Sequence, residues 1–153
     1  MIVNTPQQTF RAALGQFFVK ETSTENLAAA RSLIERSETA GADLLVLPEC
    51  IIARRLGMPD WGQKHAEPLD GPFVSGLREA TRGRRVTVVC TVQAKIANES
   101  RYANDLLVIQ NGELRLTYQK IHLYDAFRGK ESSYAAPGDV LPQVLQIGPF
   151  KVG

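Results

Sequence analysis

Two short apolar stretches on either side of an amphipathic helix constrain the fold of this chain more than any other feature. Residues 10–18 have the alternating pattern of a strand, and residues 44–47 form an apolar run typical of a strand buried on both faces. Between them, Thr22 with Glu25 three residues later predicts the start of a helix, and Gly41 suits its end. This order predicts two parallel strands joined by a right-handed crossover.

The remainder of the chain is richer in strands than in helices. Further elements are predicted as an irregular loop at 51–70, a helix from Pro72 to near Gly83, a central strand at 86–92, a hairpin of 104–110 and 113–119 around Asn111-Gly112, an irregular segment at 126–139, and strands at 144–147 and from 150 onward. Two helices are too few to cover both faces of such a sheet. We therefore expect an α/β fold in which residues 1–9 are a flexible leader and residues 10–153 the N-terminal portion of a larger domain.

Charge and composition exclude several classes of function. The 18 basic and 16 acidic residues give a net charge of +2 without any basic block, so binding to nucleic acid is not indicated. No apolar run approaches the roughly 20 residues that span a bilayer, and no secretory signal begins the chain, so a cytoplasmic protein without membrane contact is expected. The two cysteines form neither a metal-binding pair nor a disulfide framework.

Glu49 and Lys120 are the residues that best fit a catalytic site. Glu49 follows the buried strand and Pro48, at the sheet edge where ligands of open α/β folds bind, and partial burial there favours a general base. Lys120 lies in the segment YQKIHLYD, among apolar and aromatic side chains, where a cation can stabilise an oxyanion. Taken alone, each residue also fits an ordinary solvated charge at the end of a strand.

Two other patterns are weaker. His122 and Asp125 suggest a catalytic triad, but no Ser or Cys lies in a nucleophile-elbow context, so packing or hydrogen-bonding roles are more typical. The pair Gly129-Lys130 lacks the other residues of a phosphate-binding loop.

The cysteines do not fit a nucleophile. Cys50 is expected to point away from Glu49, because neighbouring side chains of an extended chain face opposite sides. Cys90 lies within a β-branched strand and is expected to be a buried small hydrophobe.

Several segments, in their order and spacing, resemble the nitrilase superfamily, also called carbon–nitrogen hydrolases. They are AALGQ at 12–16, LLVLPE at 44–49 (similar to the catalytic-glutamate segment), YQKIHLYD at 118–125 (similar to the catalytic-lysine segment), and ES at 131–132 followed by PGD at 137–139 (similar to the loop with a second glutamate). The resemblance extends from about residue 11 to the last residue. It implies an α-β-β-α sandwich, of which this chain is the N-terminal part.

The resemblance also implies a reaction and roles for residues. It is greatest to the Nit-type branch, which includes deaminated glutathione amidase and ω-amidase, enzymes that release ammonia from a terminal amide of small 2-oxo acids. By this resemblance Glu49 is the general base, Lys120 the oxyanion donor and Glu131 an orienting residue. Candidate carboxylate-binding residues, chosen because they lie in adjoining loops, are Arg54, Arg55 and Arg128. The partner implied is a small amide substrate, no metal or organic cofactor is implied, and the full-length form is expected to be a homo-oligomer.

The nucleophile of this family is a cysteine in a segment that begins like Lys-Val-Gly, the residues at 151–153. We therefore expect the nucleophile to lie beyond this chain, and the chain alone to be inactive. An alternative is a catalytically inactive fragment that acts as an interaction module or needs a separate C-terminal half. A nucleotide-binding domain is disfavoured, because no Gly-rich turn joins a strand to a helix.

Overall fold

A computed structural model describes residues 9–127 and 129–153. The strands are β1 (Ala12–Leu14), β2 (Leu44–Val46), β3 (Thr87–Lys95), β4 (Tyr102–Gln110), β5 (Glu113–Gln119), β6 (Ala135–Ala136), β7 (Leu145–Ile147) and β8 (Phe150–Val152). The helices are α1 (Ser23–Thr39), α2 (Trp61–Lys64) and α3 (Pro72–Thr81), with a short 3₁₀-helix at Glu131–Ser133. In the part of the chain that is described, no helix has the length and apolar character needed to cross a membrane.

The main sheet has the order β1-β2-β3-β4-β5. Strands β1, β2 and β3 are parallel, which confirms the parallel pair predicted from the sequence, and β3 lies in the centre as expected. Strand β4 is antiparallel to β3 on one side and to β5 on the other. Strand β6 adds to β4 in parallel beside Tyr102 and Ala103, and β7 with β8 forms a separate two-stranded ribbon.

Helices α1 and α3 lie side by side on the sheet and bury its core. Ile34 of α1 and Leu77 of α3 are fully buried against Leu45 and Val88 of the parallel strands. On the other face of β1, Leu14 is 83% exposed. The helices therefore cover one face of the sheet, and the carboxyl end of β2 remains accessible.

Local signals set the ends of these elements as predicted. The Glu25 N–H donates to the Thr22 hydroxyl oxygen (3.4 Å), so Thr22 caps α1, and Gly41 follows the helix with φ +68°. The Asn111-Gly112 turn has φ values of +50° and +81°, the left-handed pair that a two-residue hairpin requires.

Strand β1 is shorter than the predicted strand at 10–18. Its ladder ends with the hydrogen bond from the Gly15 N–H to the Val46 carbonyl (2.8 Å). Pro48, two residues further along the neighbouring strand, has no N–H to donate, so the pairing cannot continue.

Two segments predicted to be irregular contain regular structure. The loop at 51–70 includes α2, and Glu67 forms an isolated bridge with Ala94. The segment at 126–139 contains the 3₁₀-helix and β6, because pairing with the start of β4 supplies hydrogen bonds that local sequence cannot show. Of the predicted leader at 1–9, residues 1–8 lie outside the described residues, and Thr9 is in neither helix nor strand.

Candidate active site

Glu49 lies just beyond the carboxyl end of β2, as the sequence predicted. Its backbone position is fixed by flanking bonds, since the Leu47 N–H donates to Val89 O (2.8 Å) and the Cys50 N–H to Thr91 Oγ1 (2.7 Å). Its side chain is 59% exposed. The carboxylate is therefore held at a defined place while one side of it stays open to solvent.

Gln93 holds the loop that follows Glu49, a role the sequence analysis missed. Its amide Nε2 donates to Cys50 O and Ala53 O (3.0 Å each), and its Oε1 accepts from the Ile52 N–H (3.1 Å). A buried Gln in the middle of a β-branched strand was the available signal, because such a group must find partners.

Lys120 joins two carboxylates. Its Nζ is 3.1 Å from Glu49 Oε1 and 3.0 Å from Glu131 Oε2, and its side chain is 31% exposed. The backbone places it, because the Lys120 N–H donates to the Asn104 carbonyl (2.9 Å) directly after β5 ends. The structure thus brings together three residues that are 71 and 11 positions apart.

Glu131 is the most buried member of this trio, with 15% of its side chain exposed. It opens the 3₁₀-helix, and its Oε2 accepts a hydrogen bond from the Tyr124 N–H (2.6 Å) as well as from Lys120. Its Oε1 accepts from Asn104 Nδ2 (3.2 Å). A carboxylate with this many donors is held in one orientation.

The surroundings of Lys120 and Glu131 favour the charged form of each side chain. Burial lowers the pKa of Lys120, but hydrogen bonds to Glu131 and Glu49 outweigh it and raise the pKa above its usual value. Burial raises the pKa of Glu131, but the Tyr124 N–H, Lys120 and Asn104 outweigh it and the pKa is lowered. Near neutral pH the site therefore holds a cation next to ionised Glu131.

Cys50 does not point away from Glu49, and that prediction was wrong. Its φ is +55°, so the backbone is left-handed rather than extended and the alternation of side chains fails. Cys50 lines the same cleft as Glu49. Burial, with the charges of Glu49 and Glu131, raises the pKa of its thiol to about 12, and burial alone raises that of Cys90 to about 12. Both thiols are therefore poor nucleophiles, although the reason given from sequence holds only for Cys90.

The trio opens into a cleft of about 570 Å³. Arg54 and Arg55 line it, but Arg55 is already paired, since its Nε is 3.5 Å from Glu21 Oε1 and its guanidinium carbon lies 5.1 Å from the centre of the Trp61 ring. Arg128, the third cation predicted for substrate binding, lies outside the described residues. The rest of the lining includes the cation Lys130 and the amide of Gln93, together with apolar and aromatic side chains such as Met58, Tyr124 and Tyr134.

The weaker sequence patterns have structural roles. Asp125 accepts hydrogen bonds from the Ser132 N–H (3.0 Å) and hydroxyl (2.6 Å), a bonding role as expected, whereas His122 is exposed. Among the described residues, no group of three or more His, Cys, Asp or Glu side chains is arranged to hold a metal ion.

Comparison with known proteins places the chain in a family. The sequence matches the carbon–nitrogen hydrolase family over residues 11–153. The chain belongs to this family. It is 32% identical over 141 residues to a deaminated glutathione amidase from Escherichia coli, covering 92% of this chain and 53% of that protein. It is 28% identical over 153 residues to an omega-amidase from Xenopus tropicalis, with coverages of 94% and 53%.

These relatives make the chain a Nit-type member of the nitrilase superfamily, as the sequence motifs indicated. The fold agrees, since a carbon–nitrogen hydrolase superfamily protein from Xanthomonas campestris superposes with a TM-score of 0.79 at 23% identity, covering 95% of this chain and 52% of that one. The carbon–nitrogen hydrolase chain therefore spans about half the length of the relatives it matches.

Proposed function

We propose that the full-length protein is an amidase that hydrolyses a terminal amide of a small 2-oxo acid, such as deaminated glutathione, and releases ammonia. The observation that carries this proposal is the ion trio, in which Lys120 Nζ lies within 3.1 Å of both Glu49 and Glu131 at the mouth of one cleft. A carboxylate base beside a fixed cation is suited to acyl transfer from an amide.

In this mechanism Glu49 moves the protons. It takes the proton of a cysteine thiol as the sulfur attacks the amide carbonyl, and it gives that proton to the departing nitrogen, which leaves as ammonia. It then takes a proton from water as the water oxygen attacks the thioester, and the proton returns to the cysteine sulfur. The exposed side of the carboxylate supports this role, because a base must reach both sulfur and water.

Lys120 and Glu131 support the charge that develops. The oxygen of each tetrahedral intermediate carries a negative charge, and the Lys120 ammonium stabilises it. Glu131 keeps the ammonium protonated and oriented through contacts at 3.0 and 3.2 Å. Neither role needs a metal or an organic cofactor.

The nucleophile in this proposal is a cysteine outside residues 1–153. Both cysteines of the chain have thiol pKa values raised to about 12, so neither forms a thiolate readily. We accordingly propose that residues 10–153 are the N-terminal portion of the hydrolase domain and do not turn over amides by themselves.

The lining of the cleft supports an anionic substrate. The Arg54 side chain is exposed at the cleft. The backbone N–H of Arg54 donates to Lys20 O (2.9 Å) and so anchors the loop. Arg55 is already occupied by Glu21 and Trp61. We therefore propose that the substrate carboxylate binds Arg54 rather than Arg55.

The test is ammonia release by the purified full-length protein. We expect turnover of deaminated glutathione and of 2-oxoglutaramate, and turnover at least tenfold slower for acetamide, which has no carboxylate. Release from none of the three would refute an amidase. Equal turnover of all three would leave the amidase standing and refute the substrate class. Cytoplasmic location and homo-oligomeric assembly stay predictions.

A further inference from the structure

We propose that Asn104 is a positioning residue that holds the two carboxylates and the lysine in register. The inference rests on the proposed function. Asn104 lies beneath the trio and is 2% exposed, and it is absent from the described lining of the cleft. It therefore acts on substrate only through its neighbours.

The side-chain amide of Asn104 bridges the carboxylates. Its Nδ2 donates to Glu49 Oε1 (2.8 Å) and to Glu131 Oε1 (3.2 Å), one hydrogen for each. The orientation of the amide follows from chemistry, since carboxylate oxygens only accept and must face the NH₂ group. Its Oδ1 is left buried and without a partner among the described residues. A buried oxygen without a partner is costly, and an apolar side chain at this position would avoid that cost but could not form the bridge.

The backbone of the same residue places the third member of the trio. The Asn104 carbonyl accepts the Lys120 N–H (2.9 Å). On strand β4, Asn104 lies between Ala103, which pairs with β6, and Asp105, which pairs with the last residue of β5. The segment that carries Lys120 thus leaves the sheet beside Asn104, and the segment that carries Glu131 joins the sheet two residues away, where Ala135 pairs with Tyr102.

The position of the bridge gives it a chemical effect. Because the Asn104 amide and Lys120 both bind Glu49 Oε1, the other carboxylate oxygen is left for proton transfer. The Asn104 amide is uncharged, so it holds the carboxylates of Glu49 and Glu131 in place without neutralising either of them. Lys120 alone, with contacts of similar length to both carboxylates, would leave their relative orientation less restricted.

We test this with Asn104→Leu, which removes the donors at similar size, and Asn104→Asp, which keeps the shape but adds a third carboxylate. In the full-length protein we expect kcat to fall by roughly 10- to 100-fold in each variant, as small misplacements of reacting groups do. KM should stay within about twofold, because Asn104 does not line the described cleft. In both variants the acid limb of the plot of kcat/KM against pH should move to higher pH. The shift should be larger in Asn104→Asp, because that variant adds a third carboxylate.

The other titratable groups near Asn104 are Tyr102, Cys50 and Asp105. Burial raises the pKa of Tyr102 and of Cys50, so both stay protonated across the acid limb. Burial also raises the pKa of Asp105, but this residue follows Asn104 in β4 and its side chain faces the opposite side of the sheet. The matched control is Thr81→Val, which also removes a buried polar group with two hydrogen bonds, to Arg78 O (2.9 Å) and from the Gly112 N–H (3.0 Å), away from the cleft. It should lower the melting temperature and leave the pH profile unchanged.

A second readout does not depend on amidase activity. Asn104 helps to lower the pKa of Glu131, so carboxyl ¹³C titration of Glu131 should shift to higher pH in Asn104→Leu even if no amide is turned over. Wild-type protein without activity but with this shift would reject the amidase and retain the positioning role. Folded variants with unchanged kcat, pH profile and Glu131 titration would overturn the role. Failure of both variants to fold would also overturn it, because it would make Asn104 a general stability residue.

Discussion

Replacing Glu49 with glutamine separates proton transfer from hydrogen bonding at one atom. In the wild type, Glu49 Oε1 accepts from Lys120 Nζ (3.1 Å) and Asn104 Nδ2 (2.8 Å). The amide oxygen of glutamine can accept both bonds, and its NH₂ group then takes the place of the other oxygen, on a side chain that is largely open to solvent. Lys120 keeps Glu131 at 3.0 Å, so the cation stays paired. We expect the fold to be unchanged.

What the substitution removes is the ability to accept a proton. Loss of a general base costs about 10²- to 10⁴-fold in rate. At about 1.36 kcal/mol per tenfold change, this corresponds to about 2.7–5.4 kcal/mol of lost transition-state stabilisation. Because Glu49 is proposed to act in both acylation and thioester hydrolysis, we expect the upper end of this range.

The assay is ammonia release by full-length Glu49→Gln protein from 2-oxoglutaramate, with circular dichroism to establish folding. The matched control is Glu79→Gln, which removes the same charge from an exposed pair with Arg82 (3.7 Å) on α3, and which should keep wild-type activity. Retention of more than a tenth of the wild-type rate by folded Glu49→Gln would refute the assignment of Glu49 as the base.

Three further predictions concern the same site. Lys120→Ala should lower the rate of ammonia release by roughly 10²- to 10³-fold, the cost of one oxyanion donor, and a loss below tenfold would contradict that role. Cys50→Ala should keep most of the activity, and the Cys50 thiol of the folded protein should resist iodoacetamide at pH 8, because its pKa is raised to about 12. The lowered pKa of Glu131 stabilises the fold above its unfolded value of 4.5, and this contribution is lost as the pH falls through the lower folded value. Thermal melts should therefore show a steeper acid-side loss for wild type than for Glu131→Gln; equal slopes would contradict this.

The features predicted well from sequence are those decided by neighbouring residues. The cap at Thr22, the left-handed turn at Asn111-Gly112 and the apolar run of β2 each contain their own physical cause within a few positions. The β1–β2 pair follows as well, because a helix packed on the sheet carries the chain back to the end at which the first strand began. Glu49 was found at the end of β2 for the same reason.

The features that were missed depend on pairing between distant segments. Strand β6 has two residues and no pattern of its own, and it exists because Tyr102 and Ala103 offer it a free edge. The predicted orientation of Cys50 was wrong, because the alternation of side chains along a strand does not reveal a left-handed backbone at a non-glycine residue. The sequence indicated only that Asn104 belongs to a strand, because its proposed role depends on which residues lie beside it in the fold.

The short distance between Glu131 and Lys120 shows how backbone pairing between distant segments assembles the candidate site. The motif pattern indicated both residues, but no local rule sets the distance across 11 positions of irregular chain. The structure sets it with one backbone hydrogen bond on each side of the gap, from Lys120 N–H to Asn104 O and from Tyr102 N–H to Tyr134 O (2.9 Å each). Both end on β4, so this strand, which supplies no side chain proposed to touch the reacting atoms, fixes the distance between the proposed oxyanion donor Lys120 and the carboxylate of Glu131 that orients it.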